Sequence, residues 1–125
     1  MNKSPNITEA EWAVMKVLWA ENPLTGNAVA QKLERTHSWK LKTVKTLLTR
    51  LVNKKVLSYQ KQGREYHYYP LVRQRACVKA ESRHFLSRVF NGAVKPMLAT
   101  ILENETLSDQ EIRELKEILE EKGKG

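Results

Sequence analysis

Cysteine is almost missing: Cys77 is the only one in 125 residues, which excludes an internal disulfide and a metal cage built of cysteines alone. Glycine is scarce too, and none of the five builds a phosphate-cradling loop. The three histidines, His37, His67 and His84, stand far apart, so a histidine metal motif is not expected. No metal and no cofactor is expected. No apolar run approaches the roughly 18–20 residues that cross a bilayer. No apolar targeting core follows Met1-Asn2-Lys3-Ser4-Pro5. A cytoplasmic location without membrane insertion is the expectation. Internal repeats and low-complexity segments are absent, and no nucleophile–base pair is legible, so no enzymatic activity is expected.

Acidic residues are scarce in one part of the chain. Residues 1–75 carry 14 Lys and Arg against 5 Asp and Glu, whereas residues 76–125 carry 8 against 9. The overall net charge of +8 therefore comes wholly from the first part. Such segregation points to an anionic partner for one lobe and another duty for the other. With 41% hydrophobic and 29% charged residues, the chain has the composition of a folded protein.

Thr8 and Glu11 have capping-box spacing, and Trp12, Met15, Leu18 and Trp19 follow at helical intervals, ended by Asn22-Pro23. Thr25 can cap a second helix with Val29, Ala30 and Leu33 on its apolar stripe. The third helix, about Leu41 to Lys54, is the most informative. Val44, Leu47, Leu48 and Leu51 fall on one face. Lys42, Lys45, Thr46, Thr49, Arg50 and Asn53 fall opposite, with no acid among them. A solvated helix normally mixes signs. Bases, hydroxyls and an amide are instead the groups that donate to phosphates and base edges. Lys42, Thr43, Thr46 and Arg50 are the groove-facing candidates, and Lys45 and Thr49 are assigned to groove or flanking phosphates.

Two strands are expected at Leu57–Lys61 and Glu65–Tyr69, joined by Gln62-Gly63-Arg64 and closed by Pro70. Lys61 and Arg64 at the tip are candidate phosphate contacts. Tyr66 and Tyr68 share one strand face and are expected to pack against the helices. Trp12, Trp19 and Trp39 are read as core or rim packing rather than as stacking platforms. Beyond Leu71 the pattern turns helical again. Val78, Phe85, Leu86, Val89 and Phe90 stripe a long helix ended by Asn91-Gly92. A helix from about Val94 to Glu103 follows, with Pro96 in its first turn. Ser108 and Glu111 form a second capping box, opening a helix with Ile112, Leu115, Ile118 and Leu119 on one face. The Gly123-Lys124-Gly125 tail is expected to fray. Cys77 and His84 are read as structural residues. Glu114, Glu117, Glu120 and Glu121 are read as a solvated face.

Three helices, a hairpin and a basic third helix describe a winged helix-turn-helix. The fold class is thus mainly α with a small two-stranded β wing. Residues 1–71 form the DNA-binding lobe and residues 72–125 a three-helix dimerisation lobe. The apolar residues named on the last three helices exceed what about fifty residues can hide, so a homodimer is expected. A basic winged helix also suits an architectural or RNA-binding dimer.

The segments AEWAVMKVLW at 10–19, TVKTLLTRLVNKKVL at 43–57 and GREYHYYP at 63–70 resemble the penicillinase-repressor (BlaI/MecI) family of bacterial transcriptional regulators. FLSRVFNGAVKPML at 85–98 and LSDQEIRELKEILEE at 107–121 extend the resemblance over nearly the whole chain. It implies a dimeric repressor on a palindromic operator with TACA/TGTA half-sites, controlling β-lactam resistance genes, or unrelated stress genes in other members. It also implies relief of repression by cleavage in the C-terminal lobe, dependent on a membrane-bound sensor metalloprotease. The family's scissile Asn-Phe bond aligns with Thr100-Ile101 here. The copper-responsive branch ends in a cysteine cluster that has no counterpart in this sequence, so metal sensing by that route is not expected.

Overall fold

The computed structural model describes residues 6–124. The expectation for Met1-Asn2-Lys3-Ser4-Pro5 and that for Gly125 lie outside them. Six helices and three short strands run in the order α1 (Glu9–Ala20), β1 (Leu24–Thr25), α2 (Gly26–Leu33), α3 (Leu41–Asn53), β2 (Leu57–Gln62), β3 (Glu65–Pro70), α4 (Gln74–Phe90), α5 (Val94–Asn104) and α6 (Asp109–Lys124). The chain divides into two compact units, one reaching Ser82 and the other starting at Arg83.

Local capping explains where the helices of the first unit begin. The Thr8 hydroxyl accepts from the Glu11 N–H at 3.2 Å, and the Glu11 carboxylate accepts from the Thr8 N–H at 3.0 Å. These bonds satisfy two amides that the first turn of α1 leaves free. Thr25 does the same for α2 by accepting from the Ala28 N–H at 3.1 Å. At the far end of α3 the chain reverses through a Schellman turn. Lys55 N–H donates to the Val52 carbonyl, and Val56 N–H donates to that of Leu51. Lys55 holds the left-handed position at φ 64°, where glycine is the usual occupant.

Helices α1, α2 and α3 enclose a core of Val14, Met15, Leu18, Val29, Leu33, Val44, Leu47, Leu48 and Leu51. Val56, Leu57, Tyr68 and Cys77 extend it toward the sheet and α4. The three tryptophans pack against this core half-buried, as their spacing suggests. The Trp19 indole N–H donates to the Val72 carbonyl at 2.9 Å. Burial pushes the Cys77 thiol up, so it stays protonated and behaves as a small apolar residue.

The sheet adds a third, short strand to the expected two-stranded wing. Leu24-Thr25 pairs antiparallel with β3, Leu24 opposite Tyr68, giving the order β1-β3-β2. Two residues leave no alternation to read, and Thr25 is also the α2 cap. The hairpin is tighter than expected: Gln62 pairs with Glu65, and only Gly63-Arg64 turn, with Gly63 at φ 63°.

In the second unit, Asn91 and Gly92 take left-handed conformations after α4, at φ 52° and 84°. The Ser108 capping box forms, with bonds of 3.0 and 3.1 Å to Glu111. Helix α6 runs through Gly123 and Lys124, so these two residues do not fray as expected. Neither α5 nor α6 contains a buried residue.

Candidate nucleic-acid interface

Helix α3 separates its two faces as the sequence pattern requires. Val44, Leu47, Leu48 and Leu51 are buried, and Lys42, Thr43, Lys45, Thr46, Thr49 and Arg50 are exposed. Leu41, Lys42, Lys45, Thr46, Thr49 and Arg50 line one open depression of about 500 Å³. The structure therefore brings together five of the six polar candidates on this helix; Thr43 is exposed but outside that set. The depression is lined by three cations and two hydroxyls, with no carboxylate.

The two threonines are not free donors. Thr46 Oγ1 donates to the Lys42 carbonyl at 3.0 Å, and Thr49 Oγ1 donates to that of Lys45, also at 3.0 Å. This back-bonding commits their hydroxyl protons and leaves the oxygens as acceptors. In that state they suit a donor amino group on a base edge better than a phosphate oxygen. The Lys45 stem lies against Gly26 at the start of α2, which limits the positions its ammonium can take.

Lys61 and Arg64 are exposed on the hairpin and do not line the α3 depression. Beside them is an aromatic ladder that corrects the expectation for Tyr66. Tyr68 is buried, but Tyr66 is 41% exposed and stacks on the equally exposed Tyr59 at 4.4 Å between ring centroids. The Lys61 ammonium lies 6.0 Å from the Tyr66 centroid. Cross-strand pairing puts Tyr59, Lys61, Tyr66 and Tyr68 on one face of the hairpin. Alternation alone identified that face but not the depth at which the helices stop covering it.

One residue pair was not legible in the sequence. Glu11, 0% exposed, takes the Lys54 ammonium on Oε1 at 2.5 Å, while Lys54 also donates to the Asn6 carbonyl at 2.6 Å. Burial pushes the Glu11 carboxyl up. The Lys54 and Thr8 hydrogen bonds and the Lys54 charge outweigh that and hold its pKa below the ordinary value. Lys54 is thus an internal partner rather than part of the outward-facing cation set. Its partner lies 43 positions away, so no local pattern could reveal it.

Val78, Phe85, Val89, Ile112, Leu115, Ile118 and Leu119, the expected dimerisation set, are exposed, with Leu86 and Phe90 half-buried. Phe85 and Phe90 meet edge to face at 5.9 Å. Thr100 and Ile101 lie exposed inside α5, where Thr100 Oγ1 donates to the Pro96 carbonyl. Among the described residues no helix is long and apolar enough to cross a membrane, and no cluster of metal-ligating side chains occurs.

A family model described as penicillinase repressor matches residues 7–121. A penicillinase repressor of Bacillus licheniformis is 40% identical over 97% of this chain and 94% of its own length. The methicillin resistance regulatory protein MecI of Mammaliicoccus sciuri is 32% identical over 97% and 98% respectively. The solution structure of the monomeric Bacillus licheniformis BlaI bound to the blaP half-operator superimposes with a TM-score of 0.51 at 39% identity. It covers 59% of this chain and 90% of that one.

Proposed function

The chain belongs to the penicillinase repressor family, and on that premise we propose that it is a DNA-binding repressor of β-lactam resistance genes that reads its operator with the outer face of α3. The observation that carries this reading is the depression lined by Lys42, Lys45, Thr46, Thr49 and Arg50, cationic and free of carboxylates. Such a face neutralises phosphates and offers side chains to base edges. Thr43 completes the set, and Lys61 and Arg64 supply flanking phosphate contacts from the wing. Binding of a relative to a half-operator supports DNA as the partner.

In this reading residues 1–71 bind DNA and residues 72–125 dimerise, with the first turns of α4 also contributing Cys77 to the first unit's core. Two copies then engage a palindrome of TACA/TGTA half-sites about one helical turn apart, or a multiple of it. The exposed apolar residues of α4 and α6 support dimerisation, because water contact at Ile118, 64% exposed, gains nothing for the monomer. Cleavage at Thr100–Ile101 by a sensor metalloprotease relieves repression by removing α6. A protease cleft takes an extended strand, so α5 must unwind first, and with no buried residue it has little core to lose.

Fluorescence anisotropy on three probes tests the binding: a TACA/TGTA palindrome, a random duplex and an RNA hairpin. The palindrome should bind about a thousandfold more tightly than either competitor. Equal affinity for all three would replace the repressor by an architectural or RNA-binding protein. Mass spectrometry of the chain from β-lactam-treated cells should show a fragment ending at Thr100. An intact chain during full derepression would remove the cleavage step.

A further inference from the structure

We propose that Glu11 and Lys54 are positioning residues for DNA reading, an ion pair that sets the pose of α3 and the wing without touching DNA; this rests on α3 being the reading helix. A single carboxylate oxygen, Glu11 Oε1, accepts from both the Thr8 N–H and the Lys54 ammonium. It therefore ties the first turn of α1 to the C-cap of α3. The same ammonium reaches the Asn6 carbonyl, a third attachment on the segment that leads into α1. Lys54 is followed at once by the Lys55–Val56 Schellman turn, and β2 begins at Leu57. The pin thus stands where the basic helix hands over to the hairpin.

Stability alone does not explain such a pair. Taking a carboxylate out of water is expensive, and an apolar pair of equal volume usually stabilises as well or better. Here the cost is visible, because Glu11 Oε2 is buried with no hydrogen-bond partner. What an ion pair adds over an apolar contact is direction and register. It also removes Lys54 from the count of cations available to phosphates, since its charge is matched at 2.5 Å. Lys54 in a solvated row of bases would raise affinity for any duplex; Lys54 held by Glu11 serves the discrimination between duplexes.

The two roles give opposite signs for one variant. Glu11→Gln keeps the size and a hydrogen-bonding oxygen but frees the Lys54 charge. Anisotropy with the full-length chain, on the TACA/TGTA palindrome and on random duplex over a salt series, reads the result. Positioning predicts that palindrome affinity falls about tenfold relative to random duplex, about the worth of one base contact. It also predicts that Lys54→Arg restores most of the preference lost in Lys54→Met. The Lys54→Met salt slope on random duplex should match that of the wild type. If Glu11→Gln instead tightens both duplexes equally, or Lys54→Met flattens the slope by about one unit, Lys54 is a phosphate contact and the proposal fails. Circular dichroism identifies folded variants, and if Lys54→Met does not fold, Glu11→Gln and Lys54→Arg carry the test. A folded Glu11→Gln chain with unchanged preference also overturns the proposal. Loss of the α3 reading would show differently: the wild type itself would have no preference, and Arg50→Ala would change nothing.

Discussion

The stripe Val44, Leu47, Leu48, Leu51 in the first unit and the stripe Ile112, Leu115, Ile118, Leu119 in the second are nearly the same pattern with opposite outcomes. The first is fully enclosed by neighbouring helices and strands, and the second stands in water. Each stripe is a demand for burial that the helix carrying it does not meet. In the first unit α1, α2 and β2 meet that demand within the chain. In the second, α5 and α6 contribute no buried residue, so a second copy is the covering that the proposed dimer supplies. Charge follows the same division, with the net excess confined to residues 1–75.

Removing matched leucines separates the two stripes most strongly. Leu48→Ala should cost the first unit about 3 kcal/mol, as buried leucines do when truncated to alanine. Leu115→Ala should cost a dilute chain less than about 1 kcal/mol and should instead weaken self-association. Urea unfolding and sedimentation velocity read the two effects. Equal unfolding losses with unaltered sedimentation would erase the distinction.

Acid should weaken the first unit through Glu11. Glu11 has a pKa below the ordinary carboxylate value when folded, so its pairing contributes fully above the unfolded value near 4.3. That contribution falls away as pH drops through the lowered folded value. Tryptophan fluorescence reports the first unit alone, since Trp12, Trp19 and Trp39 all lie there. The Glu11→Gln chain should show a shallower loss of stability between pH 5 and 3, roughly the range over which a carboxylate titrates. The same slope in both chains would place the acid sensitivity elsewhere.

Much of this organisation was legible because its signals are local. Both capping boxes, the glycine turn of the wing and the Asn91-Gly92 stop depend on residues within four positions of one another, and the acid-free face of α3 is contained in one helix. Three features were not. Strand β1 is two residues long and exists because β3 offers an open edge. Glu11 reads as one more first-turn acid until α3 brings Lys54 to it across 43 positions. Tyr66 shares its alternation with Tyr68, and only the extent of the helices decides that one is covered and the other is not. Periodicity states that a face wants burial; tertiary packing decides whether it is buried.

Smaller effects refine the functional side. Arg50→Ala should lose about 1–3 kcal/mol on the palindrome and less on random duplex, if Arg50 reads a base. Lys61→Ala should weaken every duplex alike and flatten the salt slope by about one unit. Equal losses for both variants on both duplexes would leave α3 and the wing indistinguishable. The smallest change expected is a gain: Lys55→Gly relieves a left-handed lysine and should add up to about 1 kcal/mol to thermal stability. A lower melting temperature would mean that the lysine side chain contributes more than its backbone costs.

The division of labour between the units is tested most directly by following backbone amides by NMR as the palindromic duplex is added. The largest shifts should fall on Lys42, Thr46 and Arg50 of α3 and on Lys61 of the wing, with α5 and α6 unmoved. Shifts centred on α5 and α6, or spread evenly over both units, would contradict the account.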